Sequence, residues 1–584
     1  MAVRPSPSMD RRRFLRSSAA VGLAASFARP LAAIARPGAP TSVATGAAYA
    51  PVGAFPSGVA SGDPTDDGVI LWTRIDPAIA GAGTTVSWEV ATDATFSAGS
   101  VVASGSAATS PVTDHTVKVD VGGLGAGATL WYRFDVGGTA SPVGRTKTLP
   151  SGAVDRLRIG FFSCERYVHG YYTAHADLAA QALDPATDLD LVVCLGDYVY
   201  EAGPADGVTV PGRLDPDAPQ VTLEDFRRQY HLYRTDLDLQ AMHAAFAFVG
   251  IFDNHDGFSG PDDPSGPGAR AAFFEQLPVR QDPADPTRQH RSFRLGDLAE
   301  LFLLDERQHR DPTPSEATGN ALGTSSLDEP LMCEPGRTML GTTQKAWLKD
   351  GLSASGAAWK VLGSQLMFAP LRSQRYPDEI AAAGDGPQRN AGRYVNLIQW
   401  DGYQAERREL VEHLHAEGIA DVLAIAGDTH FWTTSEVPLD YDDPDAPLVL
   451  VEFGGSSITS ANAGEMTDLP GNDVIRPVVN EANPYTLRFM EVTTHGWARI
   501  ELTGERASVQ YRTPATIREA TAPTTVLAAF EVDRGTATVR QTDGDGFLAR
   551  PNEQEPTTTT TAPAAGGPGP APAVPVAGTA DYTG

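Results

Sequence analysis

Apolar positions change their spacing near residue 156, and that change divides the chain. Between about 50 and 150 they alternate with polar ones, as in Thr85-Val86-Ser87-Trp88-Glu89-Val90 and Leu130-Trp131-Tyr132-Arg133-Phe134-Asp135-Val136, with turn residues recurring between such runs. A period of two turns one face of each strand inward, which predicts a small all-β domain over 50–150, an antiparallel sandwich of immunoglobulin or fibronectin type. From 156 to 545 the strands read instead as short, predominantly apolar runs at 157–162, 189–195, 247–252, 298–304, 359–362, 422–426 and 448–453, separated by helical segments. Runs of that kind are buried on both faces and predict a layered α/β (α+β) domain. The stretch 550–584, with threonines at 557–561 followed by Ala, Gly and Pro, is of low complexity and is expected to be disordered. The sequence contains no internal repeat.

At 584 residues with 41% apolar composition, the chain is long enough for two or three soluble domains. Its formal charge of −28, from 73 Asp and Glu against 45 Lys and Arg, excludes nucleic acid and anionic membrane as surface partners. An anionic substrate would need a bound cation to attract it. Residues 1–35 carry Arg11-Arg12-Arg13-Phe14-Leu15, a short Ala- and Gly-rich apolar stretch and the small-x-small site Ala33-Ile34-Ala35. That order is expected of a twin-arginine signal peptide, which makes the twin-arginine translocase a transient partner and places the mature protein outside the cytoplasm, extracellular or in the cell wall or periplasm. No stable membrane anchor is expected. Three cysteines, Cys164, Cys194 and Cys333, are too few for a disulfide framework. Cys194 sits inside an apolar strand and reads as core, whereas Cys164 ends one.

The residues that follow each apolar run carry the chemistry. They are Ser163-Cys164-Glu165, Gly196-Asp197 with Tyr200, Asp253-Asn254-His255-Asp256, Ser364-Gln365 and Gly427-Asp428-Thr429-His430. In layered α/β folds the ligand crevice lies at the carboxyl ends of the strands, so clusters far apart in sequence converge there. Asp197 can bridge two cations through its two oxygens, and a Cys164 thiolate and a Tyr200 phenolate favour iron. Asn254 offers a neutral oxygen and leaves His255 free to act on substrate.

The order Ser-Cys, Gly-Asp-Tyr-x-Tyr-Glu, Asp-x-His-acid and Gly-Asp-x-His resembles the PhoD-type alkaline phosphatases, a branch of the calcineurin-like metallophosphoesterases. Leu71-Trp72-Thr73-Arg74, Leu303-Leu304-Asp305 and Trp400-Asp401-Gly402-Tyr403 support the resemblance, which spans about 50–515. It implies a metallophosphoesterase sandwich domain holding Fe3+ with one or two Ca2+ ions and hydrolysing phosphomonoesters and phosphodiesters. By the same resemblance Cys164, Asp197, Tyr200 and His430 would hold iron, and Asp197, Asn254 and Asp428 the second cation. His255 would protonate the leaving group or bind phosphate, with Asp256 able to orient its ring. Gln365, Asp256, Asp401 and Arg407 are further site candidates. The family's usual Trp-Asp-Asp-His-Glu and following Asn-Asn pair are replaced here by Phe252-Asp253-Asn254-His255-Asp256-Gly257-Phe258-Ser259. Loss of those asparagines leaves a second calcium site open, with Asp262 and Asp263 as substitute oxygen ligands or, alternatively, a solvated acidic loop.

The resulting expectation is a secreted, metal-dependent alkaline phosphatase. Two or more cations about 3.5–4 Å apart would bind phosphoryl oxygens and lower the pKa of a water between them. Two alternatives remain at this level: a phospholipase D-like phosphodiesterase with a wider, apolar entrance, and a non-catalytic surface binding protein. The preferred ester, the monoesterase to diesterase balance and the oligomeric state are not encoded in these motifs.

Overall fold

The computed structural model describes residues 41–42, 47–201, 208–215, 220–261, 263–314, 330–375, 390–462, 464–465 and 471–550. The expected signal peptide, the low-complexity tail from 551 onward and Asp262 lie outside the described residues. Two large sheets dominate a mixed α/β fold. The first has ten strands in the spatial order Val539–Asp543, Thr524–Asp533, Arg506–Pro514, Trp497–Thr503, Arg156–Phe162, Leu191–Cys194, Ala247–Gly250, Val59–Gly62, Val69–Arg74 and Thr116–Val121. The second has seven, ordered Arg291–Leu295, Ala299–Leu303, Trp359–Ser364, Val422–Ala426, Leu448–Gly454, Trp432–Pro438 and Leu487–Glu491.

Each sheet has a parallel centre. Arg156–Phe162, Leu191–Cys194, Ala247–Gly250 and Val59–Gly62 run parallel in the first. Ala299–Leu303, Trp359–Ser364, Val422–Ala426 and Leu448–Gly454 do so in the second. These strands are almost wholly buried, as their predominantly apolar sequences require. One core unites the facing sides of the two sheets: Ile159, Val193 and Val249 from the first pack with Leu301, Val361, Ile425 and Phe453 from the second. Helices Gly341–Ala354 and Gln404–Ala416 cover the far side of the second sheet through Leu348, Leu352, Leu410 and Leu414, against Leu362, Ala424 and Leu450. On the far side of the first, helices Thr173–Ala180 and Leu237–Ala245 add Leu178, Leu239 and Met242 to a core containing Phe162, Cys194 and Phe248. Among the described residues no helix is long and apolar enough to cross a membrane.

The region 50–150 differs from a self-contained sandwich. Thr85–Ala91, Val101–Ala108, Thr129–Val136, Thr139–Ala140 and Gly144–Lys147 do form an antiparallel sheet of their own. Val59–Gly62, Val69–Arg74 and Thr116–Val121 belong instead to the ten-stranded sheet, where Val59–Gly62 lies parallel to Ala247–Gly250. Burial explains the division. Thr129–Val136 alternates inside and outside along its length, whereas every residue of Val59–Gly62 and Val69–Arg74 is buried, which requires cover on both faces. Ion pairs reinforce the junction, with Arg145 on Asp188 at 2.6 Å and Lys147 on Asp190 at 2.8 Å.

This topology makes a concrete demand on truncation. A chain beginning at 156 would leave the Ala247–Gly250 strand as an open apolar edge, and open edges aggregate. Such a fragment is expected to be insoluble and to be recovered when residues 41–155 are co-expressed in trans. A soluble, cooperatively melting fragment 156–545 would contradict this account of the sheet.

Candidate metal centre

The site forms where the parallel strands of both sheets end. Gly196 follows Leu191–Cys194 with φ of 108°, and a Cβ there would collide with the side chain of Asp253. Gly427 follows Val422–Ala426, and its added Cβ would stand 2.8 Å from the Ser163 side chain. Gly196 therefore lets two neighbouring strand ends of the first sheet close up, and Gly427 lets a strand end of the second sheet meet the first. The side chains just beyond them occupy unusual backbone: Cys164, Asp197, Asp428 and His430 have φ of 58°, 54°, 63° and 58°, in the left-handed region that residues with a Cβ rarely adopt. Backbone strain of this kind persists only where surrounding contacts enforce it, and it concentrates at functional sites. Here the carbonyl of Cys164 accepts from the backbone N–H groups of Thr459 and Ser460 at 3.3 and 3.1 Å, while its own N–H donates to Gly196 O at 3.2 Å.

Two groups of ligand-type atoms result. Cys164, Asp197 and His430 offer a sulfur, a carboxylate oxygen and a ring nitrogen that all lie within 4.8 Å of one another. The Tyr200 hydroxyl joins them, donating to Asp197 Oδ2 at 2.9 Å and lying 3.4 Å from His430 Nε2. His430 Nδ1 donates to the carbonyl of Ala461 at 2.8 Å, which turns the Nε2 lone pair toward the group. Burial depresses the His430 pKa, so the ring is neutral and able to ligate. The second group is Asp197, Asp253 and Asp428, again within 4.8 Å, with Asp197 common to both. Burial and then the charges of Asp197 and Asp428 push the Cys164 thiol well up. Burial also holds Asp253 well above the usual carboxylate range, and one of its oxygens, Oδ2, is buried with no hydrogen-bond partner. Soft, hard and imidazole donors crowded together with an orphaned carboxylate oxygen fit a centre of more than one cation.

Arg307 supplies the resident positive charge. It is buried, pairs through Nε with Asp253 Oδ1, donates to Asn254 Oδ1 at 3.0 Å and reaches Asp428 Oδ1 at 3.3 Å. Asp253 belonged to the strand-end cluster 253–256 but was given no ligand role in the sequence reading, and Arg307, four residues beyond the strand Ala299–Leu303, was not among its candidates. Glu201 was also missed. Its carboxylate accepts from His255 Nδ1 at 2.6 Å, and His255 stacks on the Tyr200 ring at 4.2 Å between centroids. Burial opposes charge on His255, yet Asp197 and the hydrogen-bonded Glu201 outweigh it and push the pKa up to about 9.

Four of the remaining candidates have structural duties. Asp256 does not orient His255. It accepts from the backbone N–H groups of Asp253 and Val199 at 2.8 and 2.9 Å, because the turn ending at Gly257 carries its carboxylate inward to clamp two strand-end loops together. Gln365 is buried and does not face the ligand groups; its amide donates to Phe252 O and accepts from Glu306 N, joining strand ends of the two sheets. Arg407 is buried against Asp401 at 2.7 Å and the Phe368 carbonyl. Asp401, held by that pair and by Leu371 N, lines a cavity of about 210 Å³ that opens beside Asp428 and His430 and is walled by Met367, Leu371, Val395 and Phe431. Asp263 accepts from Ser259 and Ser265 within its own loop. Cys194 is core, as expected, and all three cysteines are free.

The family model described as PhoD-like phosphatase matches residues 159–511, and the model of its N-terminal domain matches 41–150. Alkaline phosphatase D of Bacillus subtilis (strain 168) is 32% identical over 530 residues, covering 86% of this chain and 85% of that protein. A solved structure titled "Structure of PhoD" superposes with a TM-score of 0.74 at 30% identity, over 86% of this chain and 95% of that one.

The bridging role of Arg307 can be measured. Removing one partner of a buried ion pair costs about 3–5 kcal/mol because the other charge is left uncompensated. Arg307→Met should lose stability of that order in urea denaturation of chelator-treated protein and markedly less in metal-replete protein, where bound cations take over the compensation. Equal losses in both preparations would refute this division of charge.

Proposed function

Because the chain belongs to the PhoD-like phosphatase family, we propose that the strand-end cluster is its hydrolytic centre, an Fe3+ and Ca2+ site acting on phosphomonoesters and also phosphodiesters. The family and the alkaline phosphatase D relative make the chain a metal-dependent phosphoric ester hydrolase. They set aside the alternative of a non-catalytic binding protein. The observation that carries the finer reading is the convergence of thiol, phenol, imidazole and carboxylate donors in one buried volume. Cys164, Asp197, Tyr200 and His430 would hold iron, since sulfur and phenolate donors favour it. Asp197, Asn254 and Asp428 would hold calcium, which accepts variable oxygen coordination, and Asp253 is the nearest additional carboxylate. Bound there, the cations supply Lewis acidity and a lowered water pKa.

The protein's own groups do the rest. Asp197, fixed by the backbone N–H of His255 at 3.0 Å and by the Tyr200 hydroxyl, presents both oxygens in defined directions. His255, with Nδ1 held by Glu201, keeps Nε2 to hand a proton to the departing ester oxygen. The cavity beside Asp428 would take the leaving alcohol, and its Met, Leu, Val and Phe walls suit an apolar one. That wall, with Val395 and Ile398 exposed nearby, is also the feature favouring the second reading, a phospholipase D-like phosphodiesterase. The arginine-bearing leader supports export by the twin-arginine route, with the translocase as partner and small phosphate esters as substrates outside the cytoplasm.

Two measurements test this reading. Purified native protein should contain iron and calcium by elemental analysis and show a visible phenolate-to-iron band. Tyr200→Phe should abolish the band with the far-ultraviolet circular dichroism unchanged, and Cys164→Ser should lower the iron content. Colourless, iron-free protein with full activity would refute the iron assignment. His255→Ala should keep its metals and lose about 10²–10⁴-fold in rate on alkyl phosphates, and much less on nitrophenyl phosphate, whose leaving group needs no proton. An equal loss on both would assign His255 to phosphate binding instead.

A further inference from the structure

Most arginines near the strand ends are already paired. Arg307 is saturated by Asp253, Asn254 and Asp428. A cavity of about 620 Å³ that shares no residue with the ligand groups is bordered by Arg280, Arg288, Arg291 and Arg294. Each of those is ion-paired, on Asp120, Asp282, Asp63 and Glu300 respectively. Arg166 is different. It lies two residues beyond Cys164, and no nitrogen of its guanidinium has a hydrogen-bond or ion-pair partner among the described residues; its Nε is buried and unpartnered. Its guanidinium lies over the Tyr200 ring, whose centroid is 5.8 Å from the guanidinium carbon.

The backbone of Arg166 is anchored on both sides. Its N–H donates to Ser460 Oγ at 3.2 Å and its carbonyl accepts from Thr459 Oγ1 at 2.8 Å. The side chain thus springs from fixed backbone yet has no anion paired with it among the described residues. Leaving a buried donor of a charged group unsatisfied destabilises the fold, because that group gave up water without gaining a partner. A chain carrying −28 charges has no shortage of carboxylates to pair with it. Glu201 is near enough for the positive charge to help lower its pKa, but its carboxylate is directed to His255 instead.

We infer that Arg166 is a substrate-binding residue whose guanidinium takes non-bridging phosphoryl oxygens of the ester, and that it biases the site toward dianionic monoesters over monoanionic diesters. The inference rests on the hydrolytic reading of the strand-end cluster. The guanidinium fork matches two oxygens of a phosphate, a pairing that an ammonium reproduces only as a point charge. A monoester dianion carries one more negative charge than a diester, so an added fixed cation stabilises it more. Arg166 stands outside both ligand groups, so its loss need not disturb them.

The test uses metal-replete Arg166→Gln and Arg166→Lys proteins beside the parent. KM and kcat are read on nitrophenyl phosphate and on bis(nitrophenyl) phosphate, inorganic phosphate binding by calorimetry, and the metals by elemental analysis and the visible band. In Arg166→Gln, KM for the monoester and the dissociation constant for phosphate should each rise about 10- to 100-fold, the range expected for lost hydrogen bonds to a charged group. The diester should be affected less, metal content and band should be retained, and lysine should restore only part of the loss. Unchanged phosphate affinity would overturn the inference, as would equal losses on the two esters. A shifted band or lost iron with unchanged KM would overturn it too, assigning the cation to tuning Tyr200. Phosphate binding reports on Arg166 even without turnover, whereas a parent protein inactive on both esters would count against the hydrolytic reading alone.

Discussion

The structure is organised around mutual repulsion. Asp197, Asp253, Asp428 and the Cys164 sulfur are brought close together away from water, where like charges cannot all ionise unless cations share the space. Arg307 compensates part of that charge from within the protein. The raised pKa values of the thiol and of Asp253 describe the same fact from the other side: burial and like charges disfavour their charged forms and a bound cation would favour them, which would couple metal loading to proton release and to stability.

That concentration of charge explains the architecture around it. Isolated loops could not hold four side chains in left-handed backbone, so each is fixed at the end of a buried strand, and the strands belong to two sheets whose ends meet at Gly427. Gln365 and Asp256 tie those strand ends to one another, and the Asp401–Arg407 pair fixes the Phe368–Leu371 segment that follows the strand Trp359–Ser364. The same requirement accounts for the N-terminal strands. Val59–Gly62 covers the flank of Ala247–Gly250, the strand that delivers Asp253 and Asn254, so the region preceding the candidate ligands helps to hold two of the residues around them.

Much of this was legible in the sequence. Every apolar run from 157 onward corresponds to a strand, because a strand buried on both faces has few other ways to be written. The ligand-type residues were legible because each directly follows such a run. What remained hidden was pairing across space. Adjacency suggested Asp256 as the partner of His255, but a tight turn sends consecutive side chains in different directions, and Glu201 from another strand end holds that place. Arg307 gave no sign beyond its position after Leu303-Leu304, since an arginine shared among three oxygens reads like any other. The sheet membership of Val69–Arg74 did leave a trace: Val69-Ile70-Leu71-Trp72 is unbroken, unlike the alternating 129–136, and continuity signals cover on both faces.

The pinning of Cys164 also has a consequence in time. Its strand, Arg156–Phe162, is flanked on one side by Trp497–Thr503, and its loop is closed by Ser457, Thr459 and Ser460. Some three hundred residues must therefore be synthesised after the thiol before its surroundings exist, and contacts so distant in sequence form slowly. A nascent chain leaving the ribosome carries an accessible cysteine with no shaped pocket. The left-handed turn that presents the sulfur to its neighbours belongs only to the finished polypeptide.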